Sequence, residues 1–122
     1  MSSFVQEFIV KEEDCISDLA EYLPAILGTY VLVKWMEIVS VKNIYTQIDK
    51  SKYMTVGQRL DIEHLKVATL GDKIEVISTI TKQDKRDILF EAKALNSERV
   101  LIAKATHKRV LMPLKVMEKV LR

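Results

Sequence analysis

Loop-forming and cross-linking residues are scarce in this chain: three glycines, two prolines and one cysteine in 122 residues. So little Gly and Pro excludes a loop-rich or low-complexity architecture and points to a few long elements joined by short turns. A lone cysteine, Cys15, excludes an internal disulfide and a cysteine-based metal cluster, and it fits a reducing compartment. As a free thiol it reads as a surface or half-buried side chain. Neither sign of charge dominates. Nineteen Lys and Arg stand against 17 Asp and Glu, scattered along the chain, so there is no basic stripe for nucleic acid. No long apolar run exists either. The longest, 30–41, is broken by Lys34 and Glu37 and falls short of the roughly 20 residues that span a bilayer. No basic-then-apolar leader opens the chain. A soluble, cytoplasmic protein is expected, with no nucleic-acid or membrane partner. Walker-type, G-x-G-x-x-G and G-x-S-x-G motifs are missing, and two histidines with one cysteine match no zinc pattern, so no metal site is expected.

What the chain does have is core. At 48% hydrophobic, it has the composition of one globular domain over residues 1–122. Residues 3–10 alternate as a strand. Residues 11–24 are polar, then mixed, and read as a connection with about one helical turn, punctuated by Pro24. From 29 to about 48 there is neither Gly nor Pro, and the stretch is too long for an ordinary strand, so a helix is predicted. Its apolar residues occupy more than one face, as in a helix covered nearly all round. Alternating segments follow at 53–67, 73–83, 88–94 and 100–112, with turns at Gly71-Asp72, 84–86 and 96–99. A short helix is predicted at 113–122. Strand, long helix and four strands with short links give an α+β domain: an antiparallel meander curved around one buried helix, the hotdog arrangement. Such a sheet leaves edges, and edges pair, so a homodimer or higher homo-oligomer is expected.

Three positions stand out as chemistry. Glu37 is a carboxylate within the apolar helix, costly to bury unless paired, and able to act as acid, base or nucleophile. The plain structural alternative is an ion pair with Lys34 or a place at the helix–solvent boundary. Thr29 stands at the helix start, directly after Gly28. There it is a good N-cap, or a hydroxyl beside the free N–H groups that suit a developing oxyanion. His64 lies near the end of a strand on the parity of Leu60 and Ile62, where a histidine is commonly a satisfied core or interface residue. His107 is the other histidine, on the last strand in Thr106-His107-Lys108-Arg109.

Taken together, four segments resemble the hotdog-fold thioesterases of the fluoroacetyl-CoA thioesterase type. They are Leu23-Pro24-Ala25-Ile26-Leu27-Gly28-Thr29, Leu32-Val33-Lys34-Trp35-Met36-Glu37, Thr55-Val56-Gly57 through Glu63-His64-Leu65, and Thr106-His107-Lys108-Arg109. Thr29 and Glu37 are eight residues apart and Gly57 and His64 seven, as in the family pattern. The resemblance implies Thr29, Glu37 and His64 as catalytic residues. It also implies Gly57, Gly28, Leu23 and Arg109 as substrate-binding, an acyl-CoA substrate, and no cofactor beyond the coenzyme A of the substrate. The family's aromatic lid positions fall here on Ala20 and Leu23, which departs from fluoroacetyl selectivity while leaving acyl-thioester hydrolysis. Thr29 would act as nucleophile or hydrogen-bond donor. Glu37 would activate water or attack directly, and His64 would act as base or protonate the leaving thiolate. Lys82, Arg86, Lys104, Lys108 and Arg109 are the cations that could meet CoA phosphates. The alternative is a non-catalytic acyl-CoA-binding dimer; a hydratase reading lacks the expected Asp-x-x-x-x-His arrangement.

Overall fold

The computed structural model describes residues 2–121. The strands are β1 (Ser3–Ile9), β2 (Tyr53–His64), β3 (Lys73–Asp84), β4 (Asp87–Asn96) and β5 (Leu101–Pro113). The helices are α1 (Thr29–Ile44) and α2 (Leu114–Val120). The connection before α1 holds two short 3₁₀ turns, Glu12–Asp14 and Ile16–Asp18. The helix predicted at 113–122 is thus observed over Leu114–Val120, and Arg122 lies outside the described residues. The helix predicted to about Ile48 stops at Ile44. Beyond Tyr45 the chain turns, and Asp49 accepts bonds from the Ser51 backbone N–H and hydroxyl.

All strand pairs are antiparallel, in the order β1-β3-β4-β5-β2. Only β3-β4-β5 form the predicted meander. β2 is not the neighbour of β3; it crosses the sheet and pairs with β5 from Tyr53↔Pro113 to His64↔Ala103. The reason lies in the link. β3–β4 closes over Lys85 and Arg86, with Lys85 at φ 57°, a tight turn. The 65–72 link is instead eight residues long and is held to the segment entering α1, by Leu27 N–H to Ala68 O and by the Ile26↔Thr69 bridge. Gly71, at φ +90° with open space around it, makes the turn out of this link.

Alternation puts Ile74, Val76, Ser78 and Ile80 of β3 and Ile88, Phe90, Ala92 and Ala94 of β4 on the helix side. Four alanines, Ala92, Ala94, Ala103 and Ala105, sit where α1 crosses, and their small size lets Leu32, Met36 and Val39 seat without exposure. Burying each such side chain stabilises the fold by roughly 2 kcal/mol. Trp35 stacks on Phe8 with ring centroids 4.6 Å apart. Polar anchors complete the seat: Asn43 donates to the carbonyls of Ser2 and Ser78, and the Ser40 and Ser78 hydroxyls meet at 2.8 Å. The five-stranded sheet and the long α1 form the predicted hotdog arrangement, but α1 is not covered all round, which its apolarity on several faces had predicted. Val33, Ile38 and Val41 remain half-buried, and Tyr30, Lys34 and Lys42 are exposed. Cys15 is also corrected: it is fully buried rather than at the surface. Its backbone bridges Leu27, its thiol lies 3.4 Å from the Lys11 carbonyl, and burial raises its pKa. Among the described residues, no helix is long and apolar enough to cross a membrane.

Candidate active site

The start of α1 differs from the capping expectation in a way that matters chemically. Gly28, not Thr29, is the N-cap, and Thr29 is the first helical residue. Its hydroxyl is therefore not spent on the helix's own N–H groups. It lies 2.8 Å from Nδ1 of His64, within one chain. Next to it, the backbone N–H groups of Thr29 and Tyr30 have no backbone acceptor among the described residues, whereas those of Val31 and Leu32 reach the Gly28 carbonyl. The other ring nitrogen of His64, Nε2, is buried and has no hydrogen-bond partner among the described residues. Thr29 and His64 open on a cavity of about 330 Å³ whose walls include Ile16, Ile26, Leu65 and Val67, with Lys66 beside them.

Gly28 and Leu23, expected to touch substrate, have other surroundings. Gly28 takes φ −76° and ψ 142°, open to any residue, so its backbone needs no glycine. Space is the constraint: the ring of Tyr30 lies where a Cβ would go, 2.5 Å from Cε1. Leu23 is half-buried in the turn closed by its N–H to Ala20 O, and it does not line the cavity. Ile16 and Ile26 take that place; sequence reasoning missed them because two 3₁₀ turns fold the segment back.

Glu37 lies elsewhere on α1. Eight residues from Thr29 amount to about 12 Å along the helix axis. Its side chain is 45% exposed rather than buried, and its partner is Arg109, not Lys34: Nη1 of Arg109 donates to Oε1 at 3.2 Å. Gly57 explains the fit. A Cβ there would overlap Glu37 Oε1 and come within 3.2 Å of Arg109 Nη1. The group that approaches this strand glycine within the chain is thus the Glu37 carboxylate. Gln58 forms a bulge beside it, between the pairs Gly57↔Arg109 and Arg59↔Lys108.

Arg109 is nearly enclosed, at 6% exposure. Nε donates to Thr55 Oγ1 at 2.9 Å, Nη2 to the Thr55 carbonyl at 3.1 Å, and Nη1 also to Nε2 of His107 at 3.2 Å. Burial lowers its pKa, while the charge of Glu37 and the hydrogen bond to it act in the opposite direction. Arg109 therefore sits behind Glu37 on the helix side of the sheet, not at a rim where a phosphate could reach it. Of the other cations considered, Lys108 faces Asp87 at 3.6 Å and Lys104 faces Glu63 at 4.0 Å. Thr55 and His107 were not assigned by sequence reasoning. The signal was present: His107 and Arg109 are polar residues on the same inward parity of β5 as Ala103 and Ala105.

One chain thus holds two separate side-chain clusters, Thr29–His64 and Glu37–Gly57–Arg109. Among the described residues, no hydrogen bond or shared cavity joins them.

Solved structures share this architecture. A thioesterase superfamily member from Thermus thermophilus superposes with a TM-score of 0.90 at 23% identity, covering 98% of this chain and 88% of that one. A hot-dog-like protein from Thermanaerovibrio acidaminovorans gives 0.88 at 18%, covering 98% and 87%. The fluoroacetyl-CoA thioesterase FlK gives 0.87 at 17%, covering 98% and 92%, and a variant of it has been solved with fluoroacetate and CoA. No curated protein sequence matches the chain. The sequence profile of the FlK family, described as fluoroacetyl-CoA-specific thioesterase, matches residues 10–115, and the chain belongs to that family.

Proposed function

We propose that the protein hydrolyses a short- or medium-chain acyl-CoA thioester to the free acid and CoA. The observation that carries this reading is the uncapped Thr29 hydroxyl on His64, at a helix start, beside an aliphatic cavity. The thioester carbonyl lies at the start of α1, where unpaired N–H groups stabilise the oxyanion as it develops. Thr29 donates to the acyl group and His64 delivers the proton that the leaving CoA thiolate takes up. Glu37 supplies the carboxylate, as nucleophile or as the base that activates water. In either route one water is consumed and the C–S bond is the bond that breaks. Aliphatic walls, with Ala20 and Leu23 at the lid positions, suit an unsubstituted acyl chain rather than fluoroacetyl.

The working unit is a homodimer. β2 is a sheet edge of 12 residues with an unpaired row of backbone groups. Two copies joined through β2 about a two-fold axis run antiparallel. The His64 end of one strand then meets the Tyr53 end of the other, which brings each Thr29–His64 pair toward the half of the partner's β2 that carries Gly57, against which Glu37 lies. A monomer leaves the two clusters apart, so the dimer is what completes the site.

Release of free thiol from a panel of acyl-CoAs tests the activity. Turnover is expected with acyl-CoAs of short to medium length, and Thr29→Ala should lower kcat by about 100-fold or more. Tight binding without turnover across the panel would instead fit a non-catalytic acyl-CoA-binding protein.

A further inference from the structure

His107 is 2% exposed, and it is one of the few polar side chains on the helix side of the sheet. Its two ring nitrogens face partners that leave one tautomer. The Arg59 carbonyl, 2.8 Å from Nδ1, can only accept, so Nδ1 carries the proton. Arg109 Nη1, 3.2 Å from Nε2, can only donate, so Nε2 is the bare acceptor. The same Nη1 donates to Glu37 Oε1. His107 Cε1 lies 3.5 Å from the space a Cβ on Gly57 would fill. One imidazole therefore touches the β2 bulge, the guanidinium and the close approach of Glu37 to Gly57.

We propose that His107 is a positioning residue: as the neutral Nδ1–H tautomer, it fixes Arg109 and, through it, sets the Glu37 carboxylate against Gly57. The role in catalysis rests on the thioester hydrolysis proposed above; the positioning itself does not. The charged groups facing the ring are Arg109 on its own strand and Glu37 on α1. From β2 it receives the Arg59 carbonyl, and from β4 the ring of Phe90, 5.8 Å away between centroids. Burial, with the charge of Arg109, holds the His107 pKa below the ordinary histidine value, while the Arg59 bond and Glu37 oppose this. A protonated His107 would set two cations 3.2 Å apart and remove the acceptor for Nη1. The unfolded chain binds that proton more readily than the folded one. Stability from this group is therefore full above about pH 6.5 and declines as pH falls from there toward the lower folded value.

The test joins ¹⁵N NMR of the His107 ring to kinetics of two variants. The ring should show a proton on Nδ1 and none on Nε2, and it should stay neutral as pH falls past about 6.5. His107→Phe, which keeps a ring but no acceptor, should lower kcat by about 10–100-fold with little change in KM. His107→Gln, which can present an acceptor at similar reach, should recover most of that loss. An Nε2–H tautomer, or an imidazolium at neutral pH, would overturn the proposal. So would equal kcat in the two variants. If His107→Phe does not fold, His107→Gln decides alone: kcat near wild type supports the role and a 10–100-fold loss refutes it. A wild type without turnover on any acyl-CoA would refute the hydrolysis reading, and the NMR result would still decide whether His107 anchors Arg109.

Discussion

Gly57→Ala is expected to lower kcat about 100-fold while leaving the fold intact. The added methyl would occupy the position of Glu37 Oε1 and press on Arg109 Nη1, so the carboxylate must swing away from β2. Misplacing a reacting group by about 1 Å can cost on the order of 10²-fold. The backbone has no reason to object. Gly57 is an exposed residue in a strand at ordinary dihedrals, and a compatible Gly→Ala change stabilises a chain by about 0.4–1 kcal/mol through the unfolded state. Activity and stability should therefore part company: kcat down, denaturation midpoint unchanged or slightly up. Wild-type kcat in this variant would mean that the approach of Glu37 to the strand is not needed for turnover.

Arg109→Met should have the largest effect on stability, a loss of about 3 kcal/mol. Methionine fills much of the same volume but donates nothing. The Thr55 hydroxyl, the Thr55 carbonyl and Nε2 of His107 would all lose a donor, in places where Thr55 is 5% and His107 2% exposed. Each unsatisfied buried group costs about 1–3 kcal/mol, partly relieved by relaxation and water entry. The ion pair itself contributes little to this loss, because the Glu37 side chain is 45% exposed and water screens it. Glu37→Gln should accordingly cost far less stability than Arg109→Met. Urea unfolding at unchanged m-value measures both. Equal losses would indicate that the Glu37 contact, rather than the bonds to Thr55 and His107, holds Arg109.

The strand and helix positions were legible because local pattern determines them. Alternation marked β3, β4 and β5, and the Gly- and Pro-free run from Thr29 marked α1. The place of β2 was not legible. Its order in the sheet depends on where the 65–72 link is tied down, and that is a set of contacts with residues 25–28, distant in sequence. Glu37 illustrates the same limit at the site. Its only cation within the local helix window was Lys34, and its actual partner is 72 positions away, delivered by a strand. The resemblance named Thr29 and His64 separately; that their side chains meet at 2.8 Å within one chain, and that Thr29 is free to do so because Gly28 is the cap, is visible only in the structure. Cys15 misled because a free thiol carries no signal of its own burial.

A site shared between two copies makes a demand that a site within one copy does not. Thr29→Ala and Glu37→Gln, each expected to be inactive alone, are mixed in equal amounts and allowed to exchange subunits. In the mixed dimer, one of the two sites joins an intact Thr29–His64 pair to an intact Glu37, and the other site carries both substitutions. Random exchange gives mixed dimers for half of the population, so thiol release from acyl-CoA should return to about a quarter of the wild-type rate. A mixture as inactive as its components, under conditions where exchange is verified, would contradict the shared site and with it the joint action of Thr29, His64 and Glu37 across two chains.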